Sequence, residues 1–197
     1  FLMEEGGEVA GADKSHRWII DPLDGTTNFL HGIPLFCISI GLERDGQLVA
    51  GLIYNPVADE MYTAEKGKGA FMNDRRRLRV AARRTLADAV IATGIPHRGR
   101  PGHPVFMREA QAVMSEVAGI RRTGSAALDL AYVASGRLEA HWEVGLKPWD
   151  TGAAALLVTE AGGRVTDMAG GAWQPWCPRT LASNGLVHDE LIQVLNS

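Results

Sequence analysis

The chain has 197 residues, 46% of them hydrophobic and 22% charged, with a net charge of −3 and two cysteines. That composition fits one domain, or one domain with a closely packed second lobe, and gives no electrostatic basis for nucleic acid or a membrane surface as the main partner. No apolar run is long enough to cross a bilayer and no signal peptide is evident, so Cys37 in an apolar strand and Cys177 in a proline-rich loop read as reduced thiols of a cytoplasmic protein.

In chain order, the acidic pair Glu4-Glu5 comes first, after the apolar Phe1-Leu2-Met3. Trp18, Ile19 and Ile20 read as the end of a buried strand, and Pro22, which lacks a backbone donor, is expected to take the chain out of the ladder just after Asp21. Asp21 and Asp24 at close range would repel each other and raise one pKa unless a cation lies between them. All-oxygen ligation selects Mg²⁺, Mn²⁺ or Ca²⁺ over zinc. Gly25 permits close backbone approach, so its N–H and that of Thr26 can face a phosphate oxygen. Read alone, the same string also fits an Asx-rich turn with solvated acids.

Residues 35–43 alternate and meet Asp45-Gly46, a hairpin signal, before a strand over 48–54. Residues 61–64 and 69–72 flank Lys66-Gly67-Lys68, read as a further hairpin rather than a phosphate cradle because no helix follows. The arginines 75, 76, 77, 79, 83 and 84 form a solvated loop in this reading, since no aromatic platform is interleaved for RNA. From about Thr85 the pattern changes to alternating strands and helices: a strand over 89–92, a helix over 104–117, and between them a loop in which His97 reads as a surface residue. A helix over 124–133 starts at a Gly-Ser step, and a strand over 138–144 carries Glu143 near its end. A helix over 151–160, with Asp150 at its mouth, stops at Gly162-Gly163; strands at 165–167 and 181–183 and a helix over 188–195 complete the chain.

The segments Glu4-Glu5, Asp21 to Asn28, Gly67-Lys68-Gly69-Ala70-Phe71, Arg122-Thr123-Gly124-Ser125-Ala126-Ala127, and Trp149-Asp150 followed by Glu160-Ala161-Gly162-Gly163 together resemble the inositol monophosphatase family. This is a family of Mg²⁺-dependent, lithium-sensitive sugar phosphatases, and the resemblance extends over practically the whole chain. It implies an α/β/α/β/α sandwich, with residues 1–84 a mainly antiparallel metal-binding lobe and residues 85–197 an α/β lobe of one catalytic unit. The chain begins inside the family pattern, so an N-terminal helical part with a further acidic residue is expected to be missing. Met3 departs from the pattern, standing where many relatives carry Gly.

By the same resemblance Glu4, Asp21, the Leu23 carbonyl, Asp24 and Asp150 hold two or three Mg²⁺ ions. One ion, on Glu4, Asp21 and Leu23, would activate water; another, on Asp21, Asp24 and Asp150, would neutralise the leaving oxygen. Thr26 would orient the water, while Leu23, Asp24, Gly25, Thr26 and the Gly124-Ser125-Ala126 backbone would line the substrate. Glu143 and Asp150 would accept hydrogen bonds from vicinal hydroxyls, with Glu143 favouring an inositol-type polyol. Lys147 and Pro148 fit the bacterial branch, and Arg121 and Arg122 belong to the pocket rim or to a homodimer contact. The expected activity is hydrolysis of inositol 1-phosphate or a similar phosphate monoester. Histidinol phosphate, fructose 1,6-bisphosphate and nucleotide 3′-phosphates are alternative substrates, and a non-enzymatic role as a transcription-complex partner is the alternative of another class.

Overall fold

The computed structural model describes residues 1–11, 15–97 and 99–197. Its first half supplies strands β1 (Leu2–Met3), β2 (Gly7–Glu8), β3 (His16–Asp24), a short helix α1 (Thr26–Leu30), β4 (Cys37–Arg44), β5 (Gln47–Asn55), β6 (Glu60–Glu65), β7 (Gly69–Met72) and β8 (Arg76–Arg77). They form one eight-stranded sheet in the order β2-β1-β3-β4-β5-β6-β7-β8, antiparallel throughout except where β1 lies parallel to β3. The Asp45-Gly46 turn behaves as its sequence demands. Arg44 pairs with Gln47, and both turn residues take positive φ, 50° and 77°, the conformation whose twist matches the strands on either side.

After a 3₁₀ turn, Leu86–Asp88, come β9 (Val90–Thr93), α2 (His103–Met114), β10 (Gly119–Arg121), α3 (Ala126–Ala134), β11 (Ala140–Val144), α4 (Pro148–Glu160), β12 (Arg164–Asp167), β13 (Arg179–Ser183) and α5 (His188–Leu195). The second sheet has the order β10-β9-β11-β13-β12, parallel across β10, β9 and β11 and antiparallel at β13. Helix α2 ends three residues before the expected 117, with Ser115 Oγ turned back onto the Gln111 carbonyl at 3.0 Å, yet Val117 still packs against the outer core.

Helices α3 and α4 lie between the two sheets and share their core, which includes Ile53, Tyr62, Leu128, Leu130, Leu157 and Val158. Helices α2 and α5 cover the other face of the second sheet over Ile91, Val113, Trp142, Leu181 and Leu191. The layers therefore run sheet, helices, sheet, helices, the β/α/β/α portion of the layered α+β sandwich expected from the sequence. A helix between two sheets must be apolar all round; in α4 every residue from Thr151 to Val158 is buried. Its backbone lies hard against the first sheet, because Gly41 and Gly51 are paired and a Cβ on Gly51 would stand 2.7 Å from the Ala153 carbonyl oxygen. That close approach brings the N-terminal turn of α4 to the end of β3. Among the described residues no helix is long and apolar enough to cross a membrane, and Cys37 and Cys177 are both free.

Candidate active site

Pro22 does not end β3 at Asp21, as the sequence suggests; the strand continues to Asp24 through an irregular register. Asp21 pairs with Ser39 and Asp24 with Cys37, so three steps on β3 match two on β4. Proline has no N–H to give the ladder, and the extra residue is absorbed as a bulge. In a regular strand residues three apart point to opposite faces. The bulge turns both carboxylates to the same one.

Asp150 joins them from the first turn of α4, where its carboxylate accepts the Lys147 N–H at 2.7 Å. It occupies the third helical position rather than the cap, which is Lys147, so the helix starts earlier than its alanine run implies. Ser39, fully buried on β4, donates to the Trp149 carbonyl at 2.9 Å and fixes this turn over the strand. One carboxylate oxygen from each of Asp21, Asp24 and Asp150 lies within 4.8 Å of the others, an all-oxygen set suited to a hard divalent cation. Asp24 is held at one oxygen by Ser125 Oγ at 2.5 Å and by the Ala127 N–H at 2.9 Å, at the head of α3.

The electrostatics agree with that fit. Burial, reinforced by Asp24, Glu4 and Asp150, pushes Asp21 up to about 8 against the Leu23 N–H that it accepts. Burial also raises Asp24, against the donors from Ser125 and Ala127. Burial, with Asp24 and Glu4, raises Asp150 to about 7. Carboxylates gathered in this way hold protons near neutrality until a cation replaces them.

These groups line one cavity of about 650 Å³, within the range of small-molecule sites. Glu4, Asp21, Leu23, Asp24, Gly25, Thr26, Gly124, Ser125, Ala126, Glu143 and Asp150, which the sequence reading singled out, all border it. Glu4 follows β1, with its N–H on the Ile20 carbonyl at 3.3 Å, and lies outside the three-carboxylate cluster. Thr26 Oγ1 donates to the Leu23 carbonyl at 3.0 Å. Gly25 has φ 91°, and a Cβ there would stand 3.0 Å from the Leu35 carbonyl oxygen, so turn geometry and packing both demand glycine. Glu143 faces the cavity from β11 and is raised to about 8, chiefly by burial and then by Asp129, Asp24 and Asp150.

A scan of family models matches residues 1–197 to the inositol monophosphatase family. The chain belongs to that family. It is 66% identical over 87% of its length to the inositol-1-monophosphatase of Mesorhizobium japonicum, of which it covers 64%. It is 46% identical over 86% of its length to the Nus factor SuhB of Vibrio cholerae, of which it covers 63%. The chain thus spans less than two thirds of these two curated relatives. A crystal structure of the extragenic suppressor protein suhB from Bartonella henselae matches with a TM-score of 0.96 and 56% identity, covering 100% of this chain and 76% of that one.

Within this inositol monophosphatase family chain, three features escape a sequence reading. Asn28 is buried and its side-chain amide donates to the Leu35 and Thr123 carbonyls at 2.6 and 2.7 Å, tying the Asp21–Asn28 loop to the approach to α3. The amides of Gly67 and Gly69 do grip an anion, the carboxylate of Glu160 at the end of α4, at 2.7 and 2.8 Å. His97 is exposed, as its loop suggests, and also borders the cavity. The arginine group is divided: Arg77 lies 6.0 Å over the Phe71 ring, Arg83 pairs with Glu139 at 2.7 Å, and neither borders the cavity.

Proposed function

We propose that this protein is a Mg²⁺-dependent phosphate monoester hydrolase acting on inositol 1-phosphate or a closely similar polyol phosphate. The reading is carried by the close cluster of Asp21, Asp24 and Asp150 in a cavity that also presents Glu143. Glu4, Asp21, the Leu23 carbonyl, Asp24 and Asp150 would hold two or three Mg²⁺ ions. Bound Mg²⁺ supplies the charge that lowers the pKa of a coordinated water and offsets the negative charge developing on the phosphoryl and leaving oxygens.

The chain's own groups do the rest. Thr26 gives its hydroxyl proton to Leu23 and keeps lone pairs to accept a hydrogen bond from the attacking water. The Gly25 and Thr26 N–H groups hold the phosphate, and the Gly124-Ser125-Ala126 segment lines the ring. Ser125 and Ala127 fix one oxygen of Asp24 and leave the other for the cation. Glu143 accepts from vicinal hydroxyls, so an ester without them strands a buried acceptor and is disfavoured. Lithium competes at the same acidic cluster. The protein acts as a cytoplasmic homodimer in this reading.

The test is phosphate release with Mg²⁺ across inositol 1-phosphate, histidinol phosphate, fructose 1,6-bisphosphate and a nucleotide 3′-phosphate. Inositol 1-phosphate should give the highest kcat/KM, and excess chelator should abolish turnover. Full activity in chelator refutes the metal mechanism. The 46% identity to a protein named a Nus factor favours one second reading, association with a transcription complex. A pull-down with a variant neutralised at Arg75, Arg76 and Arg77 tests it: retained phosphatase activity with lost association supports a separate binding role.

A further inference from the structure

Beside the carboxylate cluster lies a second polar group that no metal claims. His141 is fully buried on β11, two residues before Glu143 and on the same face of the strand. Its strand neighbours are Ala92 on β9 and Ala182 on β13, which offer no polar side chain. Both ring nitrogens are buried without a hydrogen bond to any described residue, yet each faces a carboxylate: Nδ1 lies 3.7 Å from Asp129 Oδ2 and Nε2 lies 3.5 Å from Glu143 Oε2. A buried imidazole left unpaired is costly, so a ring aimed at two acceptors at nearly bonding distance is a built arrangement rather than core filling.

The chain of contacts continues at both ends. Thr123 Oγ1 donates to Asp129 Oδ1 at 2.7 Å, and the Thr123 carbonyl accepts from Asn28, which belongs to the loop carrying Asp21 and Asp24. At the far end the Glu143 carboxylate lies where a side chain on residue 94 would begin: a Cβ on Gly94 would stand 2.0 Å from Glu143 Oε1. Glu143 is thus backed by glycine on one side and by His141 on the other.

We infer that His141, with Asp129 behind it, is a positioning residue that orients Glu143 for the hydroxyls of a polyol phosphate. The inference rests on the polyol-phosphatase reading above and adds to it the groups that set the specificity of that site. A neutral imidazole has one donor and one acceptor. Burial holds the His141 ring neutral, down to about 3, while it raises Asp129 and Glu143 alike to about 8. In this arrangement Nδ1 accepts from a protonated Asp129 and Nε2 donates to Glu143 Oε2 when a bound polyol closes the 3.7 and 3.5 Å separations to bonding distance. Glu143 Oε1 is left to accept from the ligand. Every donor in the row points towards the substrate.

The experiment measures kcat and KM for inositol 1-phosphate and for phenyl phosphate, which lacks vicinal hydroxyls, in the wild type, His141→Phe and His141→Gln at saturating Mg²⁺. Loss of a hydrogen bond that orients a buried carboxyl predicts about a tenfold rise in KM for inositol 1-phosphate in His141→Phe, with phenyl phosphate changed by about twofold or less. His141→Gln, which keeps a side-chain N–H, should recover most of the loss. Equal losses on both esters, or an unchanged KM for inositol 1-phosphate, overturn the role. A wild type that shows no preference for inositol 1-phosphate over phenyl phosphate removes the polyol reading itself; a wild type with the preference and a Phe variant that keeps it remove only the role of His141. Proton NMR of protein with ¹⁵N-labelled histidine gives a readout that needs neither turnover nor a folded Phe variant. A slowly exchanging ring N–H of His141 should be present and should shift in Glu143→Gln, and its absence overturns the assignment.

Discussion

At the scale of single residues, the proposed function gives Asp24 and Thr26 separable tasks. Asp24 is gripped at one oxygen by the head of α3 and, in the proposed function, offers the other to a cation, so Asp24→Asn removes a charged ligand while it keeps the size of the side chain. In the proposed mechanism its kcat should fall by about a thousandfold or more, as expected when a group stabilising transition-state charge is lost. Thr26→Ala removes only the hydroxyl that contacts Leu23, leaving the backbone N–H to which the proposed function assigns the phosphate. Its kcat should fall with KM nearly unchanged, and Thr26→Ser should recover much of the rate. Steady-state kinetics on inositol 1-phosphate decide this; an unchanged kcat in the Ala variant reduces Thr26 to a turn residue.

Among the elements, α4 matters most, because it carries Asp150 at one end and Glu160 at the other. The first end is held by Ser39 on the Trp149 carbonyl and the second by the Gly67 and Gly69 amides. Between them, the pairing of Gly41 with Gly51 lets the helix backbone touch the sheet. A methyl group on Gly51 would meet backbone atoms at 2.7–3.1 Å, and backbone cannot swing aside as a side chain can. Gly51→Ala should therefore cost about 1–3 kcal/mol and lower Tm by roughly 2–10 °C. Any shift of the helix moves Asp150 too, so kcat should fall along with stability. Thermal unfolding and kinetics of the one variant test both; a Tm equal to the wild type means that the sheet yields there.

For the whole molecule, the raised carboxyls of the acidic site should couple stability to pH and, in the proposed function, to metal. Asp21 and Asp150 titrate near 8 and 7 in the metal-free fold, above the ordinary value of 3.8. At low pH folded and unfolded chains both hold these protons. As pH rises through the range between the unfolded and folded values, only the unfolded chain has released them, so the metal-free protein loses stability and levels off above about pH 8. A divalent cation needs the deprotonated carboxylates, so Mg²⁺ should stabilise little at pH 5 and most at pH 8. At about a hundredfold excess over Kd the rise in Tm should be roughly 5–10 °C. Melting curves with and without Mg²⁺ at the two pH values measure it, and a rise larger at pH 5 than at pH 8 contradicts the raised carboxyls.

Local chemistry wrote much of this protein into its sequence. Asp45-Gly46 had to form its tight turn because few other pairs tolerate positive φ at both positions, and the alanine-rich stretch before Gly162-Gly163 had to be a buried helix. The clustered acids Asp21, Asp24 and Asp150 could be named from their motifs, and the inositol monophosphatase family with them. What the tertiary structure alone decided is how distant groups meet. Proline at position 22 announces a break in pairing, yet only the opposing strand shows that the break is a bulge that turns Asp21 and Asp24 to one face. Asn28, Ser39 and Gly94 carry no signal of their own, because a hydrogen bond across the chain or room for a carboxylate is a property of two segments rather than one. His141 reads as any residue of an apolar strand; its meaning comes from α3 and β11 packing so that two carboxylates flank one ring. Periodicity and turn chemistry act over a few residues and are legible in one dimension, whereas a buried polar pairing depends on which surfaces the hydrophobic core brings together.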